Sequence, residues 1–215
     1  MPVPPTDDVE ALTRDAIVAA AITIADADGI DSVSMRKVAD RVGSGAMSLY
    51  HHVQDKDDLF AAALEHVLTG VPHPTCDDED WRTPLRTIVA WLRGTLQAHP
   101  WACELWPVTW PGPNRKQLME AILRALREGG YDRRMAHHGF HALDVFVVGY
   151  VQQEAAFTIG QDDPEAQMQE FLAETPVETY PYMIEHIGHH MDEDAKEDSF
   201  EFLLELLLDG LERHR

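Results

Sequence analysis

The chain has 215 residues, 45% hydrophobic and 26% charged, which is the balance of an ordinary globular protein rather than a disordered one. Two cysteines do not make a disulfide framework, and the N-terminus has no apolar signal region, so we expect a soluble cytoplasmic protein. No apolar run reaches the ~18–20 residues that a membrane span needs. The net charge of −21 argues against nucleic-acid binding over the whole surface.

The N-terminal residues predict an arm followed by one amphipathic helix. Residues 1–10 are rich in Pro and Asp and are expected to form a mobile arm. Thr13 can cap the helix, and Asp28-Gly29 can end it. Between them, apolar residues recur at the i, i+3, i+4, i+7 and i+8 positions of one helix face. They are Ile17, Ala20, Ala21, Ile24 and Ala25.

Residues 34–56 predict two short helices with a tight break between them. Ser34 can cap the first helix, Gly43 can end it in the left-handed conformation, and Ser44 can cap the second. Each helix has a short apolar stripe at helical spacing. The stripes consist of Val38, Ala39, Val42, Leu49 and Val53. This is the helix-turn-helix pattern, whose second helix enters the DNA major groove.

The outward face of this pattern carries the residues that we expect to contact DNA. Arg36 can pair with guanine O6 and N7 or reach a phosphate. Tyr50, His52 and Lys56 can reach phosphates from the ends of the unit, although the simpler alternative is that they are ordinary surface residues. The full predicted set is Ser34, Arg36, Lys37, Ser44, Ala46, Met47, Ser48, Tyr50, His52 and Lys56.

The charge of this stretch differs from that of the whole chain. Residues 34–56 contain four basic and two acidic side chains, a local balance of +2 within a chain of net charge −21. Ala46, Met47 and Ser48 offer little hydrogen-bond readout, so contacts to thymine methyls and DNA shape have to carry part of the specificity. We therefore expect binding to double-stranded operator DNA with modest non-specific affinity.

A fourth helix and a hinge complete the first domain. Asp55 is expected to cap this helix, which has Leu59, Ala63 and Val67 on one face. In residues 71–80 the composition turns to Pro, Asp and Cys, which is typical of a linker. We place the boundary here, between a DNA-binding domain of residues 1–71 and an effector-binding and dimerisation domain of residues 72–215.

The second domain is predicted to consist of helices and loops. Pro84 suits the first position of one helix, Asn114 is expected to cap the next, and Asp132 to open a long helix that extends to about residue 158. Residues 161–179 are polar and are predicted to form a loop, followed by helices over 181–191 and about 194–214. The predicted fold class is all-α, a three- or four-helix N-terminal domain plus a larger helical domain.

The last helix is apolar over most of its circumference, which indicates that it is covered on two sides. One alternative is a central core helix in a monomer. A helix-turn-helix normally works as a two-fold dimer on two half-sites, so we favour a homodimer. The residues predicted to form the dimer contact are Phe200, Leu203, Leu204, Leu207 and Leu211.

An effector site is predicted from the aromatic residues of the second domain. Large aromatic side chains are more often core than pocket, but Trp91, Trp106, Trp110 and Phe157 could line an apolar site. The effector expected there is a hydrophobic, aromatic or cationic small molecule. His137 and His141 have an i, i+4 spacing that can bind zinc, yet no carboxylate or cysteine completes a ligand set. We therefore predict no metal or other cofactor, and a ligand-contacting or surface role for both histidines.

Several of these residues together resemble a known signature. Gly29, Ser34-Met35-Arg36, Gly43, Leu49-Tyr50-His51-His52-Val53 and Lys56 are similar to the DNA-binding signature of TetR-family transcriptional repressors. The resemblance extends without a gap from about residue 13 to residue 68. It implies a dimer held by a four-helix bundle of the eighth and last helices of both subunits. It also implies a repressor that releases its operator when a small molecule binds the second domain.

The second domain is similar to the tetracycline-repressor branch of that family. The matching residues are Trp81, His99, Thr109-x-Pro111, Gly129-Gly130-Tyr131, Gly149, Phe200, Leu203, Leu206 and Gly210-Leu211-Glu212. That branch senses a drug bound with magnesium. Its metal-binding histidine corresponds to Trp106 and its acidic residue to about Gln153, so the metal ligands are missing here. Gln153 then remains as a candidate ligand contact without a metal.

Two other classes of protein remain as alternatives. An enzyme is disfavoured because the chain has no P-loop, G-x-S-x-G or HExxH pattern, and no GxGxxG after a strand. A helical dimeric interaction protein could keep the helix-turn-helix as a structural unit, and it would show no salt-sensitive DNA affinity.

Overall fold

The computed structural model describes residues 12–76, 80–158, 164–191 and 199–215. Those residues form helices and turns with no strand among them, which confirms the all-α class. In the same ranges no helix combines the length and apolarity needed to cross a membrane. The predicted N-terminal arm lies outside the described residues.

Four α-helices form the N-terminal part from residue 12 onward, where the described residues begin. They are α1 (Arg14–Asp28), α2 (Met35–Arg41), α3 (Ala46–Leu49) and α4 (Lys56–Val67). Three predicted caps are confirmed, because the side chains of Thr13, Ser34 and Asp55 accept from backbone N–H groups three residues later at 3.1, 3.2 and 2.8 Å. The predicted apolar stripes face inward: Val38, Leu49 and other members are fully buried.

The break between α2 and α3 is tighter than the sequence indicates. Gly43 adopts a left-handed φ of 67°, as predicted. Its N–H donates to Asp40 O, and the Ser44 N–H donates to Ala39 O at 2.9 Å, which is a Schellman ending of α2. Ser44 is therefore part of the end of α2, and its prediction as the cap of α3 is wrong. Gly45 precedes α3 instead and gives it no side-chain cap.

Seven α-helices follow in the described residues of the C-terminal part. They are α5 (Arg82–Ala98), α6 (Trp101–Leu105), α7 (Pro113–Glu128), α8 (Arg133–Thr158), α9 (Pro164–Glu174), α10 (Pro181–Met191) and α11 (Ser199–Glu212). Pro84 is the third residue of α5 rather than the first, and the Asp80 carboxylate accepts from the Thr83 N–H at 3.0 Å. Asp132 does cap α8, accepting from the Met135 N–H at 2.7 Å.

Helix α9 overturns part of the loop predicted for residues 161–179. Its sequence, PEAQMQEFLAE, begins with Pro, which is tolerated in a first turn, and is rich in strong helix formers. Residues 169–174 are mostly exposed. A polar composition here reflects a solvated helix rather than a loop.

The core of the C-terminal part forms around α8. Phe140, Leu143, Val147 and Val151 are buried in a single stripe, as predicted, and α8 packs against α5, α7 and α11. Helix α11 turns Phe200, Leu204 and Leu211 toward this core. Its other side leaves large apolar side chains exposed: Phe202 at 55%, Leu203 at 38% and Leu206 at 54%.

Trp81 joins three parts of the C-terminal domain at the start of α5. It is 2% exposed, and its ring meets Tyr131, between α7 and α8, edge to face at 5.0 Å. Its indole N–H donates to Glu212 at the end of α11 at 2.9 Å. Arg82 extends the contact through an ion pair with Asp209 at 2.8 Å. This cluster fixes α11 against α5.

Candidate DNA-binding surface and effector cavity

The residues predicted to contact DNA are all exposed or half-buried in the structure. On the one-turn helix α3, Met47 is 78% exposed and Tyr50, which follows it, is 47% exposed, while Leu49 between them is fully buried. The Arg36 side chain on α2 is 90% exposed. The Lys56 ammonium lies 4.8 Å from the centroid of the Phe60 ring, at the start of α4. Exposed apolar side chains suit contacts to bases in a DNA groove, and exposed cationic side chains suit contacts to phosphates.

A partly exposed ion pair, which the sequence does not predict, holds the turn beside this surface. Arg14 on α1 binds the Asp58 carboxylate with both guanidinium ends, at 2.7 and 3.1 Å. The same guanidinium donates to His52 O at 2.6 Å, and the Gln54 N–H donates to Asp58 at 2.9 Å. The turn that follows α3 is thus tied to both α1 and α4. The partners are 44 residues apart, so no local pattern reveals them.

This ion pair predicts an acid-sensitive N-terminal domain. The hydrogen bond from Arg14 is the main cause that lowers the pKa of Asp58. Because the pKa of Asp58 is lower in the folded state, its ionised carboxylate stabilises the fold at any pH above its pKa in the unfolded chain, about 3.9. This stabilisation is lost as the pH falls through the pKa of the folded state. We expect Asp58→Asn to cost about 1 kcal/mol at pH 7, since the pair is partly exposed, and progressively less below about pH 4.

Thermal melting between pH 7 and pH 3 measures this difference. Asp40→Asn is the matched control, because the Asp40 side chain is 74% exposed and lies 4.0 Å from Arg36. A deficit of Asp58→Asn that stayed constant over the whole pH range would contradict the assigned role of the carboxylate.

The C-terminal part contains a cavity of about 740 Å³ between α6, the segment that leads to α7, and α8. Trp106 and Trp110, both predicted effector contacts, line it. Trp106 is 5% exposed, whereas Trp110 is 92% exposed at the rim. The cavity is also lined by Glu104, Arg115, Asp144, Val148, Gly149 and Gln152. A volume in this range is typical of a small-molecule site.

The polar groups of the cavity are organised around Trp106. Its indole N–H donates to Asp144 Oδ1 at 3.1 Å, and the Arg115 guanidinium lies 4.3 Å from the ring centroid. Arg115 also donates to Thr109 O at 2.9 Å. Burial raises the pKa of Asp144 and lowers the pKa of Arg115. Asp144 had a sequence signal, because it lies four residues after Phe140 inside the apolar stripe of α8.

The other predicted effector residues lie outside this cavity. Trp91 packs half-buried against the core, and His137 and His141 are exposed with ring centroids 4.6 Å apart. Gln153 is also exposed, and its neighbour Gln152 lines the cavity instead. The side chain of Phe157 is outside the described residues. Within the described part of the chain, no group of three or more His, Cys, Asp or Glu side chains is placed to hold a metal ion.

Glu65 joins α4 to the segment beside the cavity. Its carboxylate accepts from the backbone N–H groups of Gly112, Asn114 and Arg115 at 3.0, 2.7 and 3.3 Å. These groups form the start of α7, so α7 is capped by a residue of α4. The prediction that Asn114 caps α7 is wrong, because its side chain donates to Glu65 O at 2.7 Å. Helix α4 thus contacts Arg115, which also lines the cavity.

A second carboxylate makes a similar link from α1. Asp26 Oδ1 accepts from the Trp101 indole N–H at 2.6 Å. The same oxygen lies 2.7 Å from Nδ1 of His99, at the end of α5. The N-terminal helices thus contact the C-terminal part through polar groups of both α1 and α4.

A helix-turn-helix with exposed outer side chains, linked to a second helical part that contains a cavity, is the arrangement of a DNA-binding transcriptional regulator. Comparison with known families agrees. The family described as "Bacterial regulatory proteins, tetR family" matches residues 17–63, and the one described as "Tetracyclin repressor-like, C-terminal domain" matches residues 72–215. The chain belongs to the TetR family of transcriptional regulators.

Individual relatives agree with this assignment. The HTH-type transcriptional repressor DrrR1 of Streptomyces coeruleorubidus is 32% identical over 213 residues, 94% of this chain and 77% of DrrR1. An HTH-type transcriptional regulator of Saccharopolyspora erythraea is 38% identical over 148 residues, 68% of this chain but 62%, less than two thirds, of that protein. The Streptomyces coelicolor TetR family protein ActR in complex with actinorhodin superposes with a TM-score of 0.79 at 31% identity, covering 93% of this chain and 96% of ActR.

Proposed function

We propose that the chain acts as a cytoplasmic homodimer that represses transcription from a two-half-site operator and releases it when a small molecule occupies the cavity. The observation that carries this proposal is the Glu65 cap, which connects the recognition domain to the wall of the cavity. The matched relatives are transcriptional regulators, so we propose no enzymatic activity. The ActR complex supports a small-molecule ligand, since that relative is seen in complex with actinorhodin.

The DNA contacts proposed are those of the exposed surface on α2, α3 and the start of α4. Arg36, Tyr50 and Lys56 supply the hydrogen-bonding and cationic contacts, and Met47 supplies apolar contact within the groove. Each subunit reads one half-site, and the two recognition helices have to sit about 34–36 Å apart. A small change in that separation prevents both helices from binding at once.

The dimer contact proposed is the outer face of α11. Phe202, Leu203 and Leu206 lie on one side of the helix at i, i+1 and i+4, and all are exposed in the single chain. The dimer residues predicted from the sequence do not all lie on this outer face. Phe200, Leu204 and Leu211 are buried against the subunit's own core, and Leu207 is partly buried. Leu203 remains available to a second subunit.

Operator binding at several salt concentrations tests this function, with DNA from upstream of the protein's own gene. We expect tight binding that weakens steeply with salt, because phosphate contacts release counterions. Lys56→Ala should weaken binding roughly tenfold and reduce the salt slope by about one unit per phosphate contact, hence about two for a dimer. Tyr50→Ala should also weaken binding roughly tenfold, through loss of one phosphate contact per subunit.

Lys116→Ala provides the control, since it removes a lysine of α7, which lies outside the helix-turn-helix. Absence of binding at low salt, both to this DNA and to a random-site pool, would reject the function and favour the interaction protein. An effector that binds the cavity without changing operator affinity would reject the release mechanism.

A further inference from the structure

We infer that the cavity accepts a flat aromatic molecule that carries a protonated amine, with the Asp144 carboxylate as the partner of the ammonium group and Trp106 and Trp110 as the contacts of the rings. This inference rests on the proposed role of the cavity as the effector site. It adds the chemical class of the effector and the residue that selects it.

The charges that line the cavity favour a cation. Two carboxylates, Asp144 inside and Glu104 at the exposed rim, face a single guanidinium, that of Arg115. The chain around them has a net charge of −21, which raises the local concentration of cations near an acidic cleft. An anionic ligand would enter against both carboxylates.

Asp144 is the better placed of the two carboxylates. It is half-buried, and its Oδ1 accepts from Trp106 at 3.1 Å. Within the described residues, no second hydrogen bond to this carboxylate is formed, so Oδ2 is available to a ligand. A carboxylate that has lost part of its hydration gains a charge-assisted hydrogen bond from an ammonium group at little further desolvation cost.

Arg115 is already engaged by the protein. Its guanidinium stacks over the Trp106 ring at 4.3 Å and donates to Thr109 O at 2.9 Å. These contacts hold the indole so that its N–H reaches Asp144. Arg115 therefore positions Trp106 from one side of its ring.

The size and the walls of the cavity fit a flat ring system. A volume of about 740 Å³ has room for several fused rings. Trp106 forms part of the inner wall, and Trp110 stands 92% exposed at the rim, where a ligand ring would cover it. Offset stacking on an indole gives a flat aromatic ligand an orientation as well as buried area.

A matched set of three probes tests the inference: 1-naphthylmethylamine, 1-naphthalenemethanol and 1-naphthoate. They share one ring system and differ in charge. Ligand-observed NMR titrations of the full-length protein give the dissociation constants. We expect the amine to bind at least about fivefold more tightly than the alcohol, and the carboxylate to bind most weakly.

Asp144→Asn is the decisive variant, because asparagine has nearly the same shape and can still accept from the Trp106 indole. In this variant the preference for the amine over the alcohol should fall below about twofold. Glu120→Gln removes one negative charge from α7 outside the cavity and should keep the preference. Circular dichroism spectra of both variants verify that the fold is intact.

Several outcomes would overturn the inference: equal binding of the three probes, tightest binding of the carboxylate, no binding of the amine, or an unchanged preference in Asp144→Asn. None of these depends on operator binding. A protein that binds its operator without preferring the amine would contradict the effector class alone. A protein that does not bind DNA would contradict the proposed function, whatever the probes show.

Discussion

Replacing Trp81 by alanine is expected to lower the free energy of unfolding by about 3–5 kcal/mol, the range for truncating a buried Trp. The residue is 2% exposed, and alanine would remove both its edge-to-face contact with Tyr131 at 5.0 Å and its hydrogen bond to Glu212 at 2.9 Å. The space it leaves cannot close easily, since Trp81 connects the start of α5, the turn before α8 and the end of α11. Urea unfolding followed by circular dichroism measures the change.

Trp110→Ala is the matched control for this prediction. It deletes the same side chain from a site that is 92% exposed, so stability should change by less than about 0.5 kcal/mol. Similar losses in the two variants would show that Trp81 is not the packing centre described here. A third variant, Trp81→Phe, keeps an aromatic ring and removes the indole N–H, so it should fall between the two.

Replacing Glu65 by alanine is expected to cost about 2 kcal/mol of stability, because three backbone N–H groups at the start of α7 lose a charged acceptor. The same change should accelerate amide hydrogen exchange at Asn114 and Arg115, whose N–H groups lie 2.7 and 3.3 Å from the carboxylate. Glu65→Gln keeps one acceptor without the charge and should give an intermediate result. Hydrogen exchange followed by mass spectrometry or NMR measures the local effect.

Glu120→Ala serves as the control for the Glu65 variants. Glu120 lies on the exposed side of α7, where it forms an i, i+4 pair with Arg124 at 3.4 Å, and its removal should cost less than about 0.5 kcal/mol. Unchanged exchange at the start of α7 in Glu65→Ala would mean that α4 does not cap this helix in solution.

The sequence predicts those features of the fold whose partners are close in the chain. Thr13, Ser34, Asp55 and Asp132 cap their helices as expected, since each accepts from an N–H three residues later. The cap of α7 comes instead from Glu65, 47 to 50 residues away, and no local pattern identifies it. For the same reason the residue type of Asn114 predicts a cap for α7, although Glu65 of α4 caps that helix.

The DNA-binding surface is easier to predict from the sequence than the cavity, again because of how far apart its residues are in the chain. The DNA-binding surface comes from one continuous stretch, so residue type and spacing were enough to place it on the outside of the fold. The cavity assembles residues from 103 to 152, and of the predicted effector contacts Trp106 and Trp110 line it. Asp144 visibly interrupts an apolar stripe in the sequence, but the role of a lone carboxylate at such a position is clear only when its surroundings are known.

Helix α11 illustrates a further limit of sequence patterns. Apolar residues around most of its circumference predict cover on two sides; one side packs against the subunit's own core, and cover of the other side stays a prediction. They did not indicate which side faces the subunit's own core, since Phe200 and Phe202 are equally apolar. In the structure Phe200 is 3% exposed and Phe202 is 55% exposed, and the packing of α8 makes this distinction.

The carboxylates of Asp26 and Glu65 also restrict how the recognition domain can move. Apolar side chains can shift slightly against each other without losing their contact. A short charge-assisted hydrogen bond, in contrast, weakens when its donor and acceptor move apart by a fraction of an ångström. Helices α1 and α4 are each held at one directional point against the C-terminal part. If these two carboxylates act as fixed points, rotation about the line between them is the motion that they oppose least. We expect such a rotation to displace helix α3, which contains neither carboxylate, and so to change its position on DNA.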